Sequence, residues 1–381
     1  MPEPIFGLPL EQLRERVSAK WRLYPDDIIP AWVAEMDCTI AEPVQDAIRR
    51  MLELGDTGYP LKDRYVEAFA AFADRHWDWA VEPDRAVLSP DVMMGILVVL
   101  LQVTDPGDVV VINDPVYPPF EHFPALIGRQ VRRAAMTESG RLDLAGLEEA
   151  FAGAAAGGRR AAYLLCNPHN PTGVVHTEAE LSEVARLADQ HGVSVISDEI
   201  HGPLVYAEAR FTPYLSLPGI ERGFAVHSAA KTFSLAALKA GVVVAAPGDT
   251  GAFAGMAHGP NASLSGVYAH AAAWNHGDAW LVQLLTELDA NRRLVVDRLA
   301  AQLPGVAVRM PEATYLMWLD CRALGLGEDP ATFFRDRAKV ALNSGPSFGP
   351  AGEGHARLNI ATSPEILAEI IDRIAVASTF R

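Results

Sequence analysis

Three stretches of this sequence place reactive side chains directly after short apolar runs. They are Cys166-Asn167-Pro168-His169-Asn170-Pro171-Thr172-Gly173, Ser197-Asp198-Glu199-Ile200-His201 and His227-Ser228-Ala229-Ala230-Lys231-Thr232-Phe233. Short apolar runs bounded by turn residues read as buried strands, and open α/β sheets assemble ligand sites beyond strand ends. An amine at Lys231, held in a partly desolvated cleft, would lose some preference for its charged form and become a better nucleophile toward a carbonyl carbon. Asp198 at a strand end is either a helix cap or a buried carboxylate that needs a cation to meet it. The prolines at 168 and 171 restrict the backbone around Asn170, so its amide is a fixed neutral donor.

The elements that must carry these loops follow from the pattern. Apolar runs at 109–112, 161–165, 193–196, 223–226 and 241–245 alternate with helical periodicity such as 178–190, which argues for a largely parallel α/β sheet with crossover helices. A short helix is expected at 10–17. Pro43 opens a helix through Leu54 with Gly55 as its stop, and 61–79 forms a long amphipathic helix. Ala86-Val87-Leu88 leads through Ser89-Pro90-Asp91 into a helix beginning at Val92, whose free N–H groups suit a phosphate unless Asp91 is simply its cap. The segments 152–158 and 247–266 read as loops. From 280 a helix runs to about residue 303, followed by strands at 306–309 and 315–319. We therefore expect an arm at 1–40 joining a small domain, a large domain at 41–279 and a small C-terminal domain at 280–381.

Composition narrows the function. The chain has 381 residues, 50% hydrophobic and 21% charged, with 32 Lys+Arg against 48 Asp+Glu and a formal charge of −16. That charge repels phosphate backbones and anionic membranes. Cys38, Cys166 and Cys321 are widely spaced, which indicates neither zinc site nor disulfide framework. The apolar run at 92–101 is too short to cross a bilayer, and no basic segment precedes it at the amino terminus, so a cytoplasmic protein is expected.

Asn170-Pro171-Thr172-Gly173, Asp198-Glu199-Ile200-His201 and Ser228-Ala229-Ala230-Lys231, in this order and spacing, resemble the signature stretches of fold-type I pyridoxal 5'-phosphate (PLP) enzymes of the class I/II aminotransferase superfamily. Ala34-Glu35-Met36-Asp37, Gly58-Tyr59, Thr314-Tyr315-Leu316 with Trp318, and Arg357-Leu358-Asn359 are similar to the MalY/PatB-like cystathionine β-lyase branch. The resemblance covers nearly the whole chain. It implies a large domain with a mostly parallel seven-stranded sheet and a smaller α+β domain.

The resemblance also implies roles. Lys231 would hold the cofactor covalently and move the substrate Cα proton, and Asp198 would hold the protonated ring nitrogen. Asn170 and His201 would bond the phenolic oxygen, and Tyr117 would stack on the ring. Ser228 and the amides of Asp91, Val92 and Met93 would cradle the phosphate. Lys239 stands where relatives carry an arginine. Arg357 would grip the substrate carboxylate, and Tyr59 would enter from the partner subunit of a homodimer. The implied reaction is β-elimination from L-cystathionine or another L-cysteine S-conjugate. An aminotransferase, a tailoring lyase whose pocket is shaped by 255–266, and a non-catalytic regulator on the same fold are the alternatives.

Overall fold

The computed structural model of the chain describes residues 3–255 and 262–379. Its contacts form two units: Ile40–His169 with Val175–Leu281, and Met1–Thr39 with Asn170–Val174 and Val282–Arg381.

The first unit is built on seven strands: β1 (Ala86–Ser89), β2 (Val109–Asp114), β3 (Gln130–Ala135), β4 (Ala161–Cys166), β5 (Val193–Asp198), β6 (Phe224–His227) and β7 (Gly241–Ala245). They lie in the order β1-β7-β6-β5-β4-β2-β3, and β7 is antiparallel to both neighbours while the other pairs are parallel. Every residue of β4, β6 and β7 is buried, as expected of strands covered on both faces. β3 was not among the expected strands. It sits at the sheet edge with Arg132 and Arg133 in an otherwise half-exposed run, so no apolar stretch marks it.

Helices close both faces. Val92, Ile96 and Val99 of α3 (Val92–Val103) pack on Val110, Ile112, Leu164, Ile196 and Val226. Leu147 and Phe151 of α4 (Leu144–Ala154), with Leu181, Val184 and Leu187 of α5 (Glu178–His191), cover Val109, Val111, Tyr163, Leu165 and Val195. The two sets alternate along each strand, which is the two-residue period of the pleat. Each large apolar side chain so buried contributes about 1.5–3 kcal/mol. Gly95 of α3 fits because a Cβ there would meet Val243 Cγ2 at 2.8 Å.

Local signals set most boundaries. α1 (Glu42–Glu53) has Pro43 in its first turn, and Gly55 follows it at φ 64°. α2 (Asp63–Trp77) is shorter than expected because Asp78 turns left-handed at φ 53°. Thr177 and Glu180 form a capping box on α5. The expected loop at 152–158 is instead the last turn of α4 followed by a 3-10 turn at Ala156–Gly158, consistent with the helix preference of alanine. The expected loop at 247–266 contains a 3-10 segment, Pro247–Gly255, and the start of α6 (Leu264–His276); 256–261 fall outside the described residues. α7 (Asp278–Gln302) follows.

The second unit carries an antiparallel sheet of β8 (Ala307–Val308), β9 (Leu316–Asp320), β10 (Asn343–Ser344) and β11 (His355–Asn359), in the order β10-β11-β9-β8. α8 (Pro364–Thr379) follows β11. Near the amino terminus only Leu10–Leu13 and Ala19–Arg22 are helical, and Val17 is exposed. Ile29–Pro30 pairs in parallel with Val340–Ala341. Lys20 and Asp37, both almost fully buried, form an ion pair of 2.7 Å. Asp37 also accepts from Trp21 Nε1 at 3.0 Å, and its own N–H donates to Ala361 O at 2.8 Å.

Truncating one member of a buried pair strands the other charge. Lys20→Met should therefore lower stability by about 3–5 kcal/mol in urea unfolding at neutral pH, and Lys20→Met with Asp37→Leu should recover most of the loss.

Candidate active site

One edge of the seven-stranded sheet collects the reactive loops. Ser89 lies opposite Gly241, Val242 opposite His227, Val226 opposite Asp198, and Asp198 opposite Cys166. The turns leaving these positions begin at 90, 228, 199 and 167, and β2 ends at the same level, three residues before Tyr117. The antiparallel β7 starts at this edge, where its neighbours end.

Asp198 is buried, and its Oδ1 accepts the Ile200 N–H at 3.1 Å. No ion pair to it is present among the described residues. Burial pushes its carboxyl up to about 7; the Ile200 N–H opposes this, neighbouring Glu199 adds to it, and Lys231 lowers it. A protonated nitrogen in a planar ring is the kind of cation this position calls for, so the donor set fits a pyridinium. Lys231 itself is half-buried, four residues beyond the last residue of β6.

The Ser228 hydroxyl donates to Ala240 O at 2.7 Å and accepts from Ala230 N at 3.2 Å, which holds the turn before Lys231. Asp91 caps α3 by accepting the Met94 N–H at 2.8 Å. The N–H groups of Val92 and Met93 belong to the same first turn, where an α-helix has no internal partner for them. The other Asp91 oxygen meets Lys239 Nζ at 2.8 Å, so this lysine neutralises the cap. His201 is buried and Tyr117 half-buried, its ring 6.2 Å from Phe120 at 70°.

In the other unit Arg357 and Asn170 are joined: Arg357 Nη1 donates to Asn170 Oδ1 at 2.9 Å, and Nη2 donates to Trp32 O at 3.0 Å. A guanidinium can only donate, so it fixes the amide with its oxygen toward Arg357 and its NH₂ away. The guanidinium also lies 4.9 Å from the Phe348 ring. Both Asn167-Pro168 and Asn170-Pro171 are cis. Tyr59 is 96% exposed in the turn between α1 and α2.

Sequence reasoning missed the support beneath the lysine turn. Tyr65 of α2 lies fully buried with its hydroxyl 3.3 Å from His270 Nδ1 on α6. Burial raises the Tyr65 phenol, and Trp274, Ser228 and the Ala229 backbone partly offset this. Burial lowers His270 to about 4, against hydrogen bonds to the Leu235 and Leu238 backbone. Each residue lies inside an ordinary helical pattern, so no spacing betrays them. No group of three metal-ligating side chains occurs among the described residues.

Residues 24–374 match the family model for aminotransferase class I and II. A Mycobacterium leprae chain provisionally named a cystathionine beta-lyase is 47% identical, over 98% of this chain and 98% of its own. The cystathionine beta-lyase of Corynebacterium glutamicum is 33% identical, over 96% of this chain and 98% of its own. A solved Corynebacterium diphtheriae structure, provisionally titled a PLP-dependent beta-cystathionase, superposes with a TM-score of 0.92 at 31% identity, covering 98% and 99%.

Asp198 makes stability depend on pH in a readable way. Its folded-state value is raised, so its stabilising protonation is complete below about pH 4 and lost as pH rises through about 7, a swing of about 4 kcal/mol. In cofactor-free protein, Asp198→Asn should therefore be more stable than wild type at pH 8 and lose that advantage toward pH 5. Paired urea melts check this, and comparing the two proteins cancels the buried histidines, which titrate alike in both.

Proposed function

The chain belongs to the aminotransferase class I and II family, and from that premise we propose that it is a PLP-dependent carbon-sulfur β-lyase. Its substrate is L-cystathionine or another L-cysteine S-conjugate, and its products are a thiol, pyruvate and ammonia. The observation that carries this reading is the 33% identity to the Corynebacterium glutamicum cystathionine beta-lyase over nearly the full length of both chains.

PLP, when bound, supplies an electron sink for the pair left when the substrate Cα–H bond breaks. Lys231 would anchor it covalently and would take the Cα proton as general base, then give it up as acid. Asp198 keeps the ring nitrogen protonated, and its buried carboxylate gains the cation it lacks. Asn170, oriented by Arg357, donates from its amide nitrogen toward the phenolic oxygen, with His201 as the second partner. Tyr117 packs on the ring face. The Val92 and Met93 amides with Ser228 would hold the phosphate; the Lys239 charge would reach it only in competition with Asp91, with which it is paired. Arg357 binds the substrate α-carboxylate through paired N–H groups. As the Cβ–S bond breaks, its electron pair leaves with the sulfur, which takes the proton that Lys231 carries and departs as the thiol, and water releases the remaining carbons as pyruvate and the nitrogen as ammonia.

Tyr59, exposed in this chain, is read as serving the site of a partner subunit in a homodimer. The arm at 1–40, the large domain at 41–279 and the small domain at 280–381 remain our division of the molecule. Among the described residues no helix is long and apolar enough to cross a membrane, and a cytoplasmic location belongs to the same reading.

Purified protein given L-cystathionine without a 2-oxo acid should release thiol and pyruvate in equal amounts over many turnovers. Lys231→Ala should reduce turnover by about 10³-fold or more, since it removes both anchor and base. No thiol, with the amino group passing instead to an added 2-oxo acid, would make this an aminotransferase.

A further inference from the structure

Directly beyond Asp198 and directly before Ser228 lie two ionisable residues that the reaction above does not use. Glu199 and His227 are fully buried, with Glu199 Oε2 at 2.9 Å from His227 Nε2. The β5–β6 register pairs Ser197 with Ala225 and Asp198 with Val226, so the next step of the ladder sets Glu199 opposite His227. The Glu199 N–H continues that ladder by donating to Val226 O at 2.9 Å.

The carboxylate is held on its other side too. Glu199 Oε1 accepts from Ser197 Oγ at 2.8 Å and from Tyr214 N at 2.7 Å. The His227 ring is walled by Phe69 at 4.6 Å, Trp77 at 5.4 Å and Trp79 at 5.6 Å between centroids. Successive residues of a strand point to opposite faces, so this pair lies behind the sheet while Asp198 and Ser228 face the other way.

Stability does not explain a pair of ionisable groups at this place. An apolar pair of the same volume is commonly as stable or more so, because desolvating polar groups offsets most of their attraction. What a short contact between strand ends supplies is geometry. Parallel strands lose their ladder where they separate into loops, and here the two loops carry the groups that meet opposite ends of one small molecule.

We propose that Glu199 and His227 are positioning residues, a cross-strand clamp that fixes Asp198 and Ser228 relative to each other and so sets how tightly the cofactor is held. This rests on the reading of those two residues as cofactor contacts. His227→Phe keeps the ring packed against Phe69, Trp77 and Trp79 and removes the clamp. Glu199→Gln with His227→Gln replaces the Glu–His contact by an amide pair that can still bond across the strands.

The test measures PLP dissociation from the full chain by absorbance and tryptophan fluorescence, with the visible spectrum followed against pH. Melting of the cofactor-free protein is the structural control. His227→Phe leaves the buried Glu199 carboxylate with Ser197 and Tyr214 alone, so it is expected to melt several degrees below wild type yet stay folded at the assay temperature, while its PLP dissociation constant rises about 10- to 100-fold, the loss typical when a group that orients a metal site's ligands is removed. The pH midpoint of the visible band should move with it. The double glutamine variant should return affinity to near the wild-type value, and it decides the matter if His227→Phe does not fold. Wild-type affinity and an unmoved spectrum in His227→Phe overturn the clamp, as does a folded double variant with no recovery. Wild-type protein that takes up no PLP overturns instead the functional reading beneath it.

Discussion

A carboxylate buried at the end of a central strand is the constraint around which this molecule is arranged. Asp198 has one backbone hydrogen bond and no ion pair among the described residues, and burial raises its carboxyl to about 7. Leaving a charge so placed costs several kcal/mol unless a cation arrives. The fold accepts that cost at one position and keeps it localised. The neighbouring residue, Glu199, is provided with hydrogen bonds from Ser197 and Tyr214, so a second carboxylate without donors does not stand beside the first.

Several polar groups at the sheet edge are already committed, and commitment is what orients them: Ser228 is held by Ala240 and Ala230, and Asp91 by Met94 and Lys239. In the other unit Asn170 is held by Arg357 in the same way. Each bond uses one donor or acceptor and so directs what is left. The Arg357 contact is the clearest case, because a donor-only group leaves the amide a single orientation. Such prior ordering reduces the entropy that ligand binding would otherwise have to overcome.

Beneath the lysine turn the packing is aromatic and dense. Tyr65, Phe69 and Phe72 of α2 lie against Trp274 and His270 of α6, or against the end of β6. Ala229 is completely buried, with no long side chain between Ser228 and Lys231 to disturb the turn. Small residues on the loop and large ones behind it give the turn a rigid floor.

Most of the sheet and its reactive edge could be read from the chain alone. Buried strands are continuous apolar runs, and the groups after them stand out by contrast, so Asn170, Asp198, Ser228 and Lys231 were legible. So were helix ends marked by Pro43 and Gly55, because capping is a local effect. The edge strand β3 was not, since half-exposed strands carry no apolar signal. Pairings between residues distant in sequence were equally hidden: Asp91 with Lys239, Lys20 with Asp37, Tyr65 with His270, and Arg357 with Asn170. Sequence establishes which groups are present and which short segments order themselves. Only tertiary structure decides which partner each group meets, because that depends on strand order and register, and no local preference encodes either.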